Sequence, residues 1–147
     1  MATVASQPIV YEPRSVRAAG GSPRERADSE IRGVRTTGLA EVPTGVGNPI
    51  TVTIFLSNPT SQPESAEVRV RRMAGTGLTT VFYRILAVPG GEARTVDLSD
   101  LEGQTIEISV SPPDTPLVAS VSVTEYFPAD GGIIVRLAKY PGDFVVI

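Results

Sequence analysis

Three carboxylates stand close together in the segment DLSDLE, and they are the first candidates for chemistry in this chain. They are Asp97, Asp100 and Glu102. Oxygen-rich loops of this kind can hold Ca²⁺, which takes about six to eight oxygen ligands. The segment lacks the full spacing of a calcium loop, because too few oxygen ligands follow in order. We therefore favour a solvated turn between two strands and predict no metal site.

Catalysis would require a nucleophile and a base, and the chain offers few of either. It has no cysteine and no histidine, which removes thiolate nucleophiles, the usual zinc ligands and the usual general base near neutral pH. A buried Lys139 could activate a serine, but no serine lies in a nucleophile motif. The glycine-rich segments 75–77 and 89–91 open no predicted helix, so they lack a phosphate-binding helix N-terminus. We predict that the protein is not an enzyme and has no cofactor.

A basic stripe raises the question of nucleic-acid binding. It consists of Arg69, Arg71 and Arg72, and Arg84 could lie beside it across a turn. A nucleic-acid surface needs a broad positive field and usually exposed aromatic rings. Here Phe82 and Tyr83 are better explained as core residues, so we favour a solvated or partner-facing strand surface and expect no nucleic acid.

Charge is distributed unevenly along the chain. Residues 1–35 contain six arginines and four acidic residues, a net charge of +2, whereas the remainder contains seven basic and twelve acidic residues, a net charge of −5. A mildly basic segment therefore precedes an acidic body. A charge of +2 over this length is too small to favour nucleic-acid binding by itself.

The elements that would position these residues are short strands. Ile50–Ser57 alternates apolar and polar residues with the period of two that is typical of a strand with one buried face. Similar patterns, separated by turn residues, predict further strands over residues 66–73, 78–88, 93–98, 104–110, 117–127, 133–139 and 144–147. We expect residues 78–88, apolar on both faces, to form a central or inter-sheet strand. In residues 104–110 we expect Glu107 and Ser109 to face outward.

This succession of short strands and turns predicts an all-β fold. Seven or eight short strands without a helical crossover indicate an antiparallel β-sandwich, either jelly-roll-like or immunoglobulin-like. With 147 residues the chain has room for one domain, which we place at residues 50–147. The absence of cysteine and tryptophan argues against an antibody-type domain, so we favour the jelly roll.

Residues 1–49 are predicted to form an extended N-terminal arm, because scattered apolar residues among Gly, Pro, Ser and Arg cannot build a core. A capping serine followed by proline predicts a short helix near residues 23–32. Residues 31–42 could form an extended segment after it. The segment PIVYEP at residues 8–13 is short, apolar and β-prone, so it could add to another sheet.

The final FVVI would be an aggregation-prone edge if left free, so it must pair within the sheet or with another subunit. Together with the arm it gives a predicted assembly interface. Its residues are Ile9, Val10, Tyr11, Arg14, Arg17, Phe144, Val145, Val146 and Ile147. The alternative is an arm that is disordered or that folds back on its own domain.

Residues 50–127 contain a regular pattern of strand and turn segments, which are ITVTIFLSNPT, AEVRVRRM, VPGGEARTVDLSDLEG and IEISVSP. This pattern resembles that of the jelly-roll subunits of bacterial spore appendages. The resemblance implies an extended N-terminal connector that locks into neighbouring subunits. The connector cysteines of that family are absent here, so any docking must be non-covalent. No residue-level function is transferred by the resemblance.

From these features we expect a structural, self-assembling subunit of a filament or appendage, whose arm docks on neighbouring copies by β-strand addition. The alternatives are a phage capsid decoration protein and a monomeric carbohydrate- or ligand-binding sandwich. The expected partners are other copies of the chain, with no membrane and no small-molecule substrate. Since the N-terminus has no signal-peptide pattern, we expect synthesis in the cytoplasm and a final location in an extracellular or spore-surface filament or in a virion.

Overall fold

The computed structural model describes residues 33–147, which form ten β-strands and one 3-10 turn at Pro141–Asp143. In chain order the strands are β1 (Arg35–Thr36), β2 (Ala40–Glu41), β3 (Ile50–Ser57), β4 (Glu64–Ala74), β5 (Gly77–Val88), β6 (Ala93–Leu98), β7 (Thr105–Ser111), β8 (Val118–Phe127), β9 (Gly132–Lys139) and β10 (Val145–Val146). Within these residues no helix is long and apolar enough to cross a membrane.

The strands form two antiparallel sheets that pack against each other, so the predicted all-β sandwich is confirmed. The six-stranded sheet has the order β10-β1-β7-β4-β5, with β2 also paired to β7, and the four-stranded sheet has the order β6-β3-β8-β9. The pairs β4 with β5, β3 with β6 and β2 with β7 are nested in the sequence. Nested pairs of this kind arise when one long hairpin is rolled into two sheets, as in a jelly roll.

The core lies between the sheets, and β3 supplies its centre. The predicted bounds of β3 are confirmed, and its burial alternates along the strand. Ile54 and Leu56 are almost wholly buried. They pair in register with Val121 and Ala119 of the neighbouring strand β8. Full burial of such a side chain contributes about 1.5–3 kcal/mol, so the alternation that identifies β3 in the sequence also explains why it is central.

The C-terminal part of the predicted arm lies against the sandwich. The N–H of Gly33 donates to the carbonyl of Ile147 (2.8 Å), β1 lies between β10 and β7, and Val42 is fully buried in the core. The Arg35 guanidinium donates to the carbonyls of Thr115 (3.0 Å) and Leu117 (2.8 Å). Residues 33–49 are therefore joined to the six-stranded sheet by backbone and side-chain hydrogen bonds.

The remaining predictions for the arm lie outside the described residues. They are the helix near residues 23–32 and the interface residues Ile9, Val10, Tyr11, Arg14 and Arg17. These stay predictions.

The prediction that residues 78–88 form a central or inter-sheet strand is wrong, because β5 is the last strand of the six-stranded sheet and belongs to that sheet alone. Phe82 and Leu86 pack against the core, but Val81, Tyr83 and Ile85 on the other side are exposed. The expectation of a core position is therefore confirmed for Phe82 and wrong for Tyr83. A strand with apolar residues on both faces is typical of a central position. Here the second apolar face is exposed at an edge, and the pattern of residue types alone does not distinguish the two.

The loop between β3 and β4 is organised by a buried asparagine. Asn58 is 1% exposed, and its side-chain amide donates to the carbonyls of Gln62 (2.7 Å) and Val88 (2.9 Å). Its side-chain oxygen accepts hydrogen bonds from the backbone and hydroxyl of Thr60. The side chain of Asn58 thus supplies hydrogen-bond partners to backbone groups that have no partner in a regular strand or helix.

Candidate functional site

The described part of the predicted interface, at the end of the chain, pairs within its own sheet. Val145 and Val146 form β10 opposite Thr36 and Arg35 of β1, and Phe144 packs against the core. Val145, Val146 and Ile147 nevertheless remain 52–61% exposed, since β10 is the last strand of the sheet. Their role as an assembly interface stays a prediction.

A second exposed apolar edge lies on β9, the last strand of the four-stranded sheet. Ile133, Ile134 and Val135 are 65%, 52% and 59% exposed. Successive strand residues point to opposite faces, so apolar groups line both faces of this short stretch. The sequence predicts the strand but gives no indication that it is an edge.

The ladder between β8 and β9 is interrupted beside this stretch. Thr124 pairs with Val135 and Val123 pairs with Leu137, so Arg136 is an extra residue in β9. Such bulges redirect one side chain and increase the local twist of the strand. Here the redirected side chain is a cation, which separates the apolar start of β9 from its second half.

Arg136 is held by a buried carboxylate. Its guanidinium donates to Glu125 Oε1, and the side-chain amide of Asn48 donates to Glu125 Oε2 (2.8 Å). The hydrogen bond from Asn48 lowers the pKa of Glu125, burial opposes this, and the hydrogen bond and charge of Arg136 lower it further. The bulge is thus fixed by an ionised pair that links β8, β9 and the segment before β3.

The basic stripe takes a different form from the predicted one. Arg71 donates through Nη2 and Nε to Glu107 Oε1 (2.6 and 3.1 Å), and the Thr36 hydroxyl donates to Glu107 Oε2 (2.6 Å). The Arg69 guanidinium lies 5.3 Å from the centre of the Tyr83 ring, a cation–π distance. Arg69 and Arg71 are both 8% exposed, so the solvated alternative is wrong for these two residues. The partner-facing alternative stays a prediction.

Glu107 and Ser109 face away from the sandwich core, as expected, yet they are buried as well. Across the ladder Glu107 pairs in register with Arg71, and Ser109 with Arg69. Alternation of polar and apolar residues predicts the face on which a residue lies but not whether that face is covered. No sequence signal identified this charged cluster, because opposite charges meet only once the register of β4 and β7 is set.

The carboxylate loop does not converge on a metal. Asp97 accepts a hydrogen bond from the Thr53 hydroxyl (2.7 Å), and Glu102 accepts one from the backbone of Gly45 (2.9 Å). Residues 33–147 contain no group of three or more acidic residues placed to hold a metal ion. A groove of about 190 Å³ beside Asp100 is bordered by Arg72 and Phe82, which is smaller than the roughly 300–1,000 Å³ typical of ligand pockets.

Comparisons with protein-family models, with curated proteins and with solved structures find no match to this chain. The resemblance to spore-appendage subunits and the prediction that the protein is not an enzyme therefore stay predictions.

Proposed function

We propose that the protein is a structural subunit that assembles with copies of itself, joined by its N-terminal arm through β-strand addition. One observation supports this proposal above the others. Six exposed apolar residues lie on or directly after the two end strands β9 and β10, which are joined by residues 140–144; five are in the strands and Ile147 follows β10. They are Ile133, Ile134, Val135, Val145, Val146 and Ile147.

Edges of this kind favour pairing with another chain. An end strand presents N–H and C=O groups that have no ladder partner on one side, and exposed apolar side chains add a hydrophobic gain to any strand that covers them. Monomeric proteins usually place charges or prolines on such edges. Residues 132–135 contain neither, and Val145–Val146 contain neither.

The arm supplies a segment that fits this mode of binding. PIVYEP at residues 8–13 has the apolar, β-branched and aromatic composition of a strand and cannot form a core by itself. Repeated docking of arms from copy to copy gives an open filament if the contact does not close and a ring if it does.

The test compares the full chain with a truncated chain that starts at Gly33 and so keeps β1 and β2. We expect the full chain to form large assemblies in light scattering and negative-stain microscopy, and the truncated chain to be a folded monomer by circular dichroism and light scattering. Val10→Asp should abolish assembly, whereas Val4→Asp, outside PIVYEP, should not. A full chain that stays monomeric would refute the proposal.

The same preparations address the other functions. Glycan binding by the truncated monomer would favour a ligand-binding sandwich, and binding of the full chain to preformed capsids without self-assembly would favour a decoration protein.

A further inference from the structure

We propose that the edge of β9 at residues 132–135 receives residues 9–12 of a neighbouring copy. This inference rests on the proposed function, because it assigns the surface on which the arm would dock. It follows from a comparison of the four end strands, from the chemistry of the arm segment and from the reach of the chain.

The other end strands are each protected against pairing. The edge of β6 contains Arg94 and Asp97, both exposed, and such charges oppose the approach of an apolar strand. The edge of β5 contains exposed Arg84 and an interruption of its ladder where β4 shifts between Val70 and Arg71. Bulges and charges are the devices that natural sheets use to block their edges.

The strand β10 is exposed and apolar but only two residues long, so it offers few hydrogen bonds to an incoming chain. By contrast, β9 begins with four consecutive residues, Gly132–Val135, that have no charge and are all exposed. Its bulge and Arg136 follow immediately and limit the open edge to this stretch. Of the end strands in residues 33–147, β9 therefore has the least protection.

The arm segment matches this stretch in length and in chemistry. Pro8 and Pro13 flank four residues, Ile9 to Glu12. Proline has no N–H to donate, so pairing stops at both ends. In an extended segment Ile9 and Tyr11 lie on one face and Val10 on the other, which gives apolar contact on both faces, as the exposed stretch of β9 requires.

The arm is long enough to reach another copy. Twenty-one residues separate Tyr11 from Gly33, and an extended chain spans at most about 3.3–3.6 Å per residue, or roughly 70 Å here. A domain of this size has a radius of gyration of about 13 Å and a diameter of roughly 35 Å. A segment anchored at Gly33 can therefore cross to the β9 edge of an adjacent subunit.

The absence of cysteine from the chain makes disulfide trapping a direct test. Chains carrying Val10→Cys are mixed with chains carrying Ile134→Cys and oxidised, and the matched control replaces Ile85 on β5, which is 53% exposed, with cysteine. A disulfide forms readily when the Cβ atoms lie about 3.5–4.5 Å apart. Ile9→Cys and Tyr11→Cys, combined in turn with Ile133→Cys and Val135→Cys, cover the neighbouring registers.

We expect covalent dimers between arm and β9 cysteines, at least about tenfold more abundant than arm–β5 dimers, a difference of about 1.4 kcal/mol in apparent preference. Ile134→Asp should abolish assembly while Ile85→Asp leaves it intact, with both variants folded by circular dichroism. Assemblies that trap the arm on Ile85→Cys, or that survive Ile134→Asp, would overturn the β9 assignment and leave the proposed function standing.

Trapping only within a single chain that carries both cysteines would also overturn the assignment, since the arm would then bind its own domain. A full chain that forms no assemblies would instead refute the proposed function itself.

Discussion

Replacing Glu107 with leucine should destabilise the sandwich strongly, although Glu107 lies on the outer face of its sheet. The substitution removes the carboxylate that accepts two hydrogen bonds from Arg71 and one from the Thr36 hydroxyl. The side chains of the ion pair are only 10% and 9% exposed. The guanidinium of Arg71 would then lose the Glu107 carboxylate in a buried position.

The expected magnitude follows from that burial. Removing one partner of a buried ion pair costs about 3–5 kcal/mol, because the remaining charge loses its compensation. For an unfolding slope of about 2 kcal/mol per molar urea, a loss of 4 kcal/mol lowers the urea midpoint by about 2 M. Glu107→Gln keeps an acceptor for Thr36 and should cost less.

Urea titration followed by circular dichroism measures these shifts. The control is the double variant Arg71→Met and Glu107→Leu, which removes both charges and should recover much of the loss, since buried ion pairs are often no more stable than well-packed apolar side chains. If Glu107→Leu changes the free energy of unfolding by less than about 1 kcal/mol, the range of exposed pairs, the buried cluster does not exist in solution.

Two further predictions concern Asn58 and Glu125. Asn58→Ala should lower the free energy of unfolding by about 2–4 kcal/mol, because it leaves the buried carbonyl of Val88 without its donor and also removes the hydrogen bonds to Gln62 and Thr60; an unchanged urea midpoint would contradict this. Glu125 has a folded-state pKa held below its ordinary value of 4.5, first by Asn48, so the stability it contributes is complete above about pH 4.5 and is lost as the pH falls through the lower folded-state pKa. Urea midpoints measured from pH 7 to pH 3 should therefore fall less steeply for Glu125→Gln than for the natural chain.

The sequence predicted the layers of the fold well where one face of a strand is buried. The predicted bounds of β3 and β6 agree with the structure, and buried residues alternate along β8. Alternation is reliable in such strands because a shift of one residue would turn every apolar side chain outward. The nested order of the pairs required the structure, since several orders satisfy the same pattern.

The features that matter for the candidate site were harder to predict from the sequence. Whether β5 and β9 are central or at an edge depends on which strands lie beside them. The residue types of these strands, such as Tyr83 and Ile133, do not indicate the position of the strand in its sheet. The charged cluster of Arg71 and Glu107 depends on register between strands that are 36 residues apart in the chain. Two-residue strands such as β1 have too few positions to show a period at all.

The placement of β1 determines how a polymer linked by its arms would bear tension. A pull on an arm enters the sandwich at Gly33 and loads β1 along its length, between β7 on one side and β10 on the other. In this shearing geometry the hydrogen bonds on both sides must break together instead of one after another. The guanidinium of Arg35, bonded to the carbonyls of Thr115 and Leu117, adds a lateral anchor at the point of entry, so the subunit would resist extension where its linker begins.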